Sequence, residues 1–235
     1  MLRDGQWAGE AAYIIGGGPS LKGFRWSLLD GRKNILAINA SMFQLPMADV
    51  FFTEDFRFIE RFHSSREWVA FRGVKVFHAL LDSYATEALF LDASIEVVHR
   101  KREDKFWSRS LEEGLSVSSN SGVGAVNLAC VLGADPIYLL GFDCRRRVVG
   151  ENPNYHDAYP QDWRMPVGQE DQYRSDFEHW VSHWTRDRRV VNLTTEECTS
   201  AITCWPRMDR DSFLKTGTPA KIWVDLKSSG KFEVP

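Results

Sequence analysis

Seven short apolar runs punctuate the chain, and segments of helical period lie between most of them. The runs fall at 11–15, 34–39, 49–53, 73–77, 94–98, 136–140 and 189–193. Each is rich in Val, Ile, Leu or Phe and bounded by Gly, Asp or Asn, the signature of a short strand buried on both faces. Helical spacing occupies 55–62, 82–91, 121–132 and 171–186. The segment 121–132 is small or apolar almost all round, which predicts a buried helix. The segment 171–186 is amphipathic, with Tyr173, Phe177, Trp180, Val181 and Trp184 at spacings of three and four. Strand–helix alternation of this kind predicts an α/β class: a single Rossmann-like domain, its sheet mostly parallel, with helices on both faces. The expected organisation is one α/β domain over 1–216 with a long loop at 144–172, then a tail at 217–235. That loop carries Pro153, Pro160 and Pro166, and the tail holds one more strand-like stretch at 221–226. A connection as long as 144–172 inside a compact domain is usually functional or disordered.

Composition removes several classes. Lys plus Arg total 29 against 32 Asp plus Glu, a net charge of −3. That balance argues against nucleic acid as a general partner, which calls for a basic excess. No apolar run reaches the 18 residues of a membrane span, and no long apolar stretch follows the charged N-terminus as a secretory signal requires. The four cysteines, Cys130, Cys144, Cys198 and Cys204, form no CxxC pair. The chain therefore reads as a reduced, cytoplasmic protein.

Four places at strand ends could carry chemistry. Gly16-Gly17-Gly18-Pro19-Ser20-Leu21 directly follows the first run. Glycines there let backbone N–H groups approach a phosphate closely, and Ser20 adds a hydroxyl. The motif is not a P-loop, which needs Gly-Lys-Ser/Thr, and Leu21 stands where a GxGxxG fingerprint has its last glycine. Asn39-Ala40-Ser41 ends the second run, where an amide can read a base or sugar or simply terminate the strand. Asn120-Ser121-Gly122 opens the buried helix, whose free N–H groups attract anions and whose first residues equally suit ordinary capping. Gly141-Phe142-Asp143 ends the sixth run and leads into Arg145, Arg146 and Arg147; Asp143 suits a ribose hydroxyl or a metal, and the arginines suit phosphates. A fifth candidate, His156 in the long loop, has the side chain best suited to proton transfer near neutral pH. His179 and His183 stand four apart without the Glu of HExxH and read as surface or packing residues. The basic and aromatic residues at 100–109 read as a solvated loop rather than a single-strand platform.

Taken together and in this order, these stretches resemble a known family. YIIGGGPSL (13–21), ILAINASMF (35–43), ADVFFTED (48–55), NSGVGAVNLACVLGADPIYLLGFD (120–143) and VVNLTTEECTSAI (190–202) are similar to the bacterial CMP-sialic-acid-dependent sialyltransferases and their relatives. Those relatives include a domain of archaeal 6-hydroxymethylpterin diphosphokinases, flagellin-associated proteins and phage or prophage proteins. The resemblance covers most of residues 12–205 and is most specific in the stretch 120–143. It implies a nucleotide held over the strand ends by Gly16–Ser20, Asn39, Asn120–Gly122, Gly141 and Asp143, with His156 as general base by position. The chain differs from the sialyltransferases at Gly17, where they carry Asn, and at Cys144–Arg147, where they use tyrosines. Those differences suit the phage and pterin-kinase-like branches. The resemblance thus implies a nucleotide-dependent transferase taking a nucleotide sugar and a second substrate, in a host cytoplasm if phage-encoded. Two alternatives stand beside it. One is pyrophosphoryl transfer to a pterin-like acceptor, with Mg²⁺ on Asp143, Glu54 and Asp55. The other is a non-catalytic phage accessory or binding protein that keeps the fold. The identities of donor and acceptor, and the oligomeric state, stay open.

Overall fold

A computed structural model describes residues 1–100, 107–116, 120–145, 152, 154–160, 163, 166–197, 199–218 and 220–223. Its strands are β1 Ala12–Ile15, β2 Ile35–Ile38, β3 Val50–Thr53, β4 Val74–Ala79, β5 Ile95–His99, β6 Ile137–Leu140, β7 Val190–Thr194, β8 Arg207–Asp209 and β9 Ile222–Trp223. The helices are α1 Phe56–Phe62, α2 Arg66–Ala70, α3 Asp82–Leu91, α4 Ser121–Val131, α5 Gln169–Ser175, α6 Ser182–Trp184 and α7 Arg210–Thr216. The strands form one mostly parallel sheet in the order β5-β4-β3-β2-β1-β6-β7-β8-β9, which is the α/β class the alternation predicts. By their contacts the residues fall into two compact units: 1–16 with 32–137, and 17–31 with 138–235.

In the first unit β1 to β5 are parallel, with Tyr13 beside Ile35, Leu36 beside Val50, Phe52 beside Val76 and Phe77 beside Val97. Every residue of β1, β2 and β3 is buried, so these strands read as continuous apolar runs rather than as an alternation. Edge strand β5 is only partly buried. Helix α4 is buried from Val123 to Ala129, as its all-round apolar sequence requires. Its one large polar residue, Asn127, is satisfied: Oδ1 accepts the N–H of Ser116 at 2.9 Å, and Nδ2 donates to the Ser108 carbonyl at 2.9 Å. Phe51, Phe58, Trp68 and Phe71 pack as a ring cluster beneath α1 and α2, a packing use of aromatic residues.

In the second unit β7 and β8 are parallel and β9 closes antiparallel on β8. The expected 171–186 helix starts earlier, at Gln169. It widens into a π-helical turn over Asp176–Val181 and ends at Trp184. Phe177 and Val181 face inward, whereas Trp180 is half exposed. Only Ile222 and Trp223 of the possible 221–226 strand are described as strand. Strand β8 and helices α2 and α7 were not expected; at three, five and seven residues they are too short to display a period.

Glu54 and His78 follow β3 and lie in β4, side by side in register. Glu54 Oε1 meets His78 Nδ1 at 2.8 Å, and both side chains are buried. The pair pins the Glu54 carboxylate against Gly124 in the first turns of α4. A Cβ on Gly124 would run into that carboxylate and stand 2.9 Å from Cζ of Phe52. In an open helix, Gly→Ala stabilises by about 1 kcal/mol. Here overpacking, at about 1–3 kcal/mol, outweighs that gain. Gly124→Ala is therefore expected to lower stability in a urea melt; a rise would show that the Glu54–His78 pair yields.

Candidate functional site

The glycine turn after β1 is built by three contacts. The Gly18 N–H donates to the Gly141 carbonyl at 2.9 Å. The Ser20 N–H donates to Oδ2 of Asp143 at 2.7 Å. The Ser20 carbonyl accepts from a guanidinium N–H of Arg210 at 2.6 Å. Pro19 opens the short 3₁₀ turn Pro19–Leu21, where its fixed φ suits a helical start and its missing N–H costs nothing. Gly18 has an ordinary φ of −67°, so its requirement is space, not conformation. A Cβ there would overlap the Asp143 carboxylate and stand 2.6 Å from the Gly141 carbonyl oxygen. Gly141 needs both: its φ is +71°, and a Cβ would press on Leu21 Cδ1 at 2.6 Å. The two glycine-bearing turns therefore interlock, backbone against backbone.

Asp143 is almost wholly buried. Burial pushes its carboxyl above the ordinary carboxylate range, opposed by the N–H of Ser20 and by the charges of Arg145 and Arg210. Its Oδ1 has no hydrogen-bond partner among the described residues. Arg210 is itself buried, and its guanidinium carbon lies 4.4 Å from the centre of the Phe24 ring. Next to Asp143, Cys144 adopts a φ of +43°. Its thiol is pushed up by burial, so it is no thiolate nucleophile at neutral pH. The Phe142 carbonyl accepts from Asn192 Nδ2 at 2.9 Å and from Ser200 Oγ at 2.6 Å, and the Asp143 carbonyl accepts from Ala201 N–H at 2.7 Å.

The long loop returns to this turn. Tyr155 N–H donates to the Gly17 carbonyl at 3.0 Å. A Cβ on Gly17 would lie 2.9 Å from Asn154 Oδ1 and 3.9 Å from His156 Nε2. Asn152 fixes the loop: its Nδ2 donates to the His156 carbonyl at 3.0 Å and to Asp157 Oδ1 at 2.8 Å. The His156 ring meets Tyr155 and Tyr159 edge to face, both with centroids 4.9 Å away, and Tyr155 packs on Trp26 at 5.5 Å. Burial holds the imidazole down at about 4, against a smaller upward pull from Asp157, so the ring is neutral at physiological pH.

The structure thus brings Gly17, Gly18, Pro19, Ser20, Gly141, Asp143 and His156 together in the second unit. Arg145 is exposed there, while Arg146 and Arg147 lie outside the described residues. Gly16, Asn39, Asn120, Ser121 and Gly122 belong to the first unit. In that unit Ser41 Oγ donates to the Gly16 carbonyl at 2.7 Å. Asn39 takes a left-handed φ of +52°, which Asn tolerates better than most residues, and its buried Oδ1 has no partner among the described residues. Asn120 caps α4, its Oδ1 accepting the Val123 N–H at 3.3 Å. Sequence reasoning missed Arg210, Asn192 and the Glu54–His78 pair. Nothing local marks Arg210, which acts on a residue 190 positions away.

The carboxylates proposed for Mg²⁺ are engaged elsewhere. Glu54 holds His78, Asp55 holds Arg57 while capping α1, and Asp143 holds Ser20. Among the described residues no three His, Cys, Asp or Glu side chains are grouped to bind a metal. Among the described residues, Glu54, Asp55 and Asp143 are therefore not grouped to hold a divalent cation. No helix among the described residues is long and apolar enough to cross a membrane. Neither a protein-family model, a curated protein nor a solved structure matches the chain.

Two variants separate the roles of Asp143. Asp143→Ala leaves the Ser20 N–H buried without an acceptor, a loss of about 1–3 kcal/mol. Asp143→Asn keeps a carbonyl for that N–H and carries no charge to bury. Because the native carboxyl holds its proton to higher pH than in the unfolded chain, the wild type loses stability as pH rises through that interval. Melting curves at pH 5 and pH 8 are expected to show Asp143→Ala destabilised at both. Asp143→Asn should gain on the wild type at the higher pH; the opposite trend would mean a carboxyl favoured in its charged form.

Proposed function

We propose that this protein is a nucleotide-dependent transferase, glycosyltransferase-like, that takes its nucleotide sugar at the Gly17–Ser20 turn. The observation that carries this reading is a glycine turn at a strand's carboxyl end with no room for a side chain at Gly18, faced at Gly17 by a half-buried histidine. Ligands of open α/β sheets bind beyond such strand ends, and main chain without a Cβ at Gly17 and Gly18 lets a phosphate-bearing ligand come close. Asp143 supports the reading by a different route than a ribose contact, since one of its oxygens fixes the turn through Ser20. Arg145 remains a phosphate partner from the rim, where its exposure lets a ligand approach. The resemblance of 13–21 and 120–143 to the sialyltransferase-like proteins agrees in class. Gly17 and Cys144 stand against CMP-sialic acid as the donor itself. Pyrophosphoryl transfer is less well supported, because Glu54, Asp55 and Asp143 are each committed to other partners.

A thermal-shift panel of CMP, CDP, UDP, GDP, AMP and ATP, with and without Mg²⁺, tests this. A nucleotide at a hundred times its dissociation constant adds about 2.7 kcal/mol, roughly 5–10 °C for a chain of this size. Arg145→Ala removes the exposed guanidinium near Asp143. One nucleotide is expected to shift the wild type and to shift this variant less. No shift with any of the six would overturn the reading in favour of a binding protein that keeps the fold.

A further inference from the structure

The two nitrogens of His156 have different surroundings. Nδ1 accepts the backbone N–H of Ala158 at 3.2 Å. A nitrogen that accepts an N–H bears a lone pair and no hydrogen, so the neutral ring carries its single hydrogen on Nε2. Nε2 is the nitrogen turned to the glycine turn, 3.9 Å from where a Cβ of Gly17 would stand. It has no hydrogen-bond partner among the described residues. Turning the ring over to exchange its nitrogens would give up the Nδ1 bond to the Ala158 N–H unless Nε2 took its place. Tyr155 and Tyr159 flank it, and Asn152 holds both the His156 carbonyl and the neighbouring Asp157 side chain.

From this geometry we infer that His156 is a neutral hydrogen-bond donor, presenting Nε2–H to an oxyanion of the ligand held against Gly17, and not the proton acceptor that the family resemblance implies. The inference rests on the reading that a phosphate-bearing ligand occupies the glycine turn. A base at this position would need a lone pair on Nε2. The ring could supply one only by placing its hydrogen on Nδ1, directly against the Ala158 N–H. A donor needs no such exchange. The Nε2–H dipole is already aimed, and a neutral imidazole can stabilise developing negative charge in this way without giving up its proton. The low proton affinity of the buried ring agrees: it stays neutral through the physiological range. The ligand chemistry at this point is then a phosphate or similar oxyanion. The proton leaving an acceptor hydroxyl goes to a group other than His156 Nε2.

Long-range ¹H–¹⁵N correlation spectra of the ¹⁵N-histidine-labelled full chain at pH 7 read the tautomer directly. The His156 signals are identified by their absence in His156→Gln. The expected pattern is hydrogen on Nε2, both free and with inorganic phosphate or CMP added. Calorimetric titrations with those two ligands supply the second readout, because phosphate alone and CMP separate the anion from the nucleoside. His156→Phe is expected to weaken CMP by roughly tenfold or more, as for a hydrogen bond to a charged group. His156→Gln, which restores an N–H donor, is expected to recover most of that loss. Hydrogen on Nδ1, or CMP affinity equal in wild type and both variants, overturns the donor role while leaving the nucleotide reading standing. If neither phosphate nor CMP binds the wild type while another nucleotide of the panel does, the donor role fails and the nucleotide reading stands; if no nucleotide binds, both fail.

Discussion

A carboxylate buried behind a backbone turn is the contact on which the candidate site depends. Asp143 lies at the end of β6, takes the Ser20 N–H at 2.7 Å and is itself almost inaccessible to water. The cost of burying it is offset by that N–H and by the charges of Arg145 and Arg210. Removing any partner leaves a buried polar group uncompensated, so the turn has few alternative conformations of similar energy. Arg210 grips the same residue from its carbonyl side, and Gly18 and Gly141 close the remaining gap with backbone alone. The result is a stretch of main chain held in place by bonds within the fold, bare of side chains at Gly17 and Gly18. Such a surface lets a ligand come close to main chain that is already in place, which a flexible loop cannot supply.

The turn following Asp143 is held with comparable care. Asn192 and Ser200 both donate to the Phe142 carbonyl, and Ala201 donates to that of Asp143. These residues sit in the stretch 190–202. Its part in this chain is to fix the direction of the Gly-Phe-Asp turn. On the other side, the segment 154–160 comes down on Gly17 through Tyr155 and brings His156 with it. The histidine's position is therefore a consequence of main-chain bonding, not of a free side chain swinging over a cleft.

Much of this was legible in the sequence, for reasons that differ by residue. The strands β1, β2, β3 and β6 announced themselves because they are buried and almost wholly apolar, whereas β4, β5 and β7 showed through their Val and Ile residues. Gly16 to Ser20 and Gly141 to Asp143 were visible because glycine beside a strand end has few other uses. Helix α4 showed in its composition. Short elements such as β8 and α2 carry no period. The partners of the turn are set by tertiary contacts between residues as distant as Ser20 and Arg210. The Glu54–His78 pair was hidden for the same reason: two ordinary polar residues become a buried dyad only when β3 and β4 are placed in register. The acceptor state of His156 Nδ1 depends on where the Ala158 N–H points, which no spacing rule encodes.

Amide hydrogen exchange across residues 16–21 tests most directly whether Asp143 pre-forms the turn. The account predicts slow exchange at Gly18 and Ser20 in the ligand-free protein, because both amides are bonded within the fold. It also predicts that Asp143→Ala frees the Ser20 amide while the amides of β1 stay protected. Fast exchange at Ser20 in the ligand-free wild type would contradict the account, since the turn would then be ordered by its ligand and not by the carboxylate behind it.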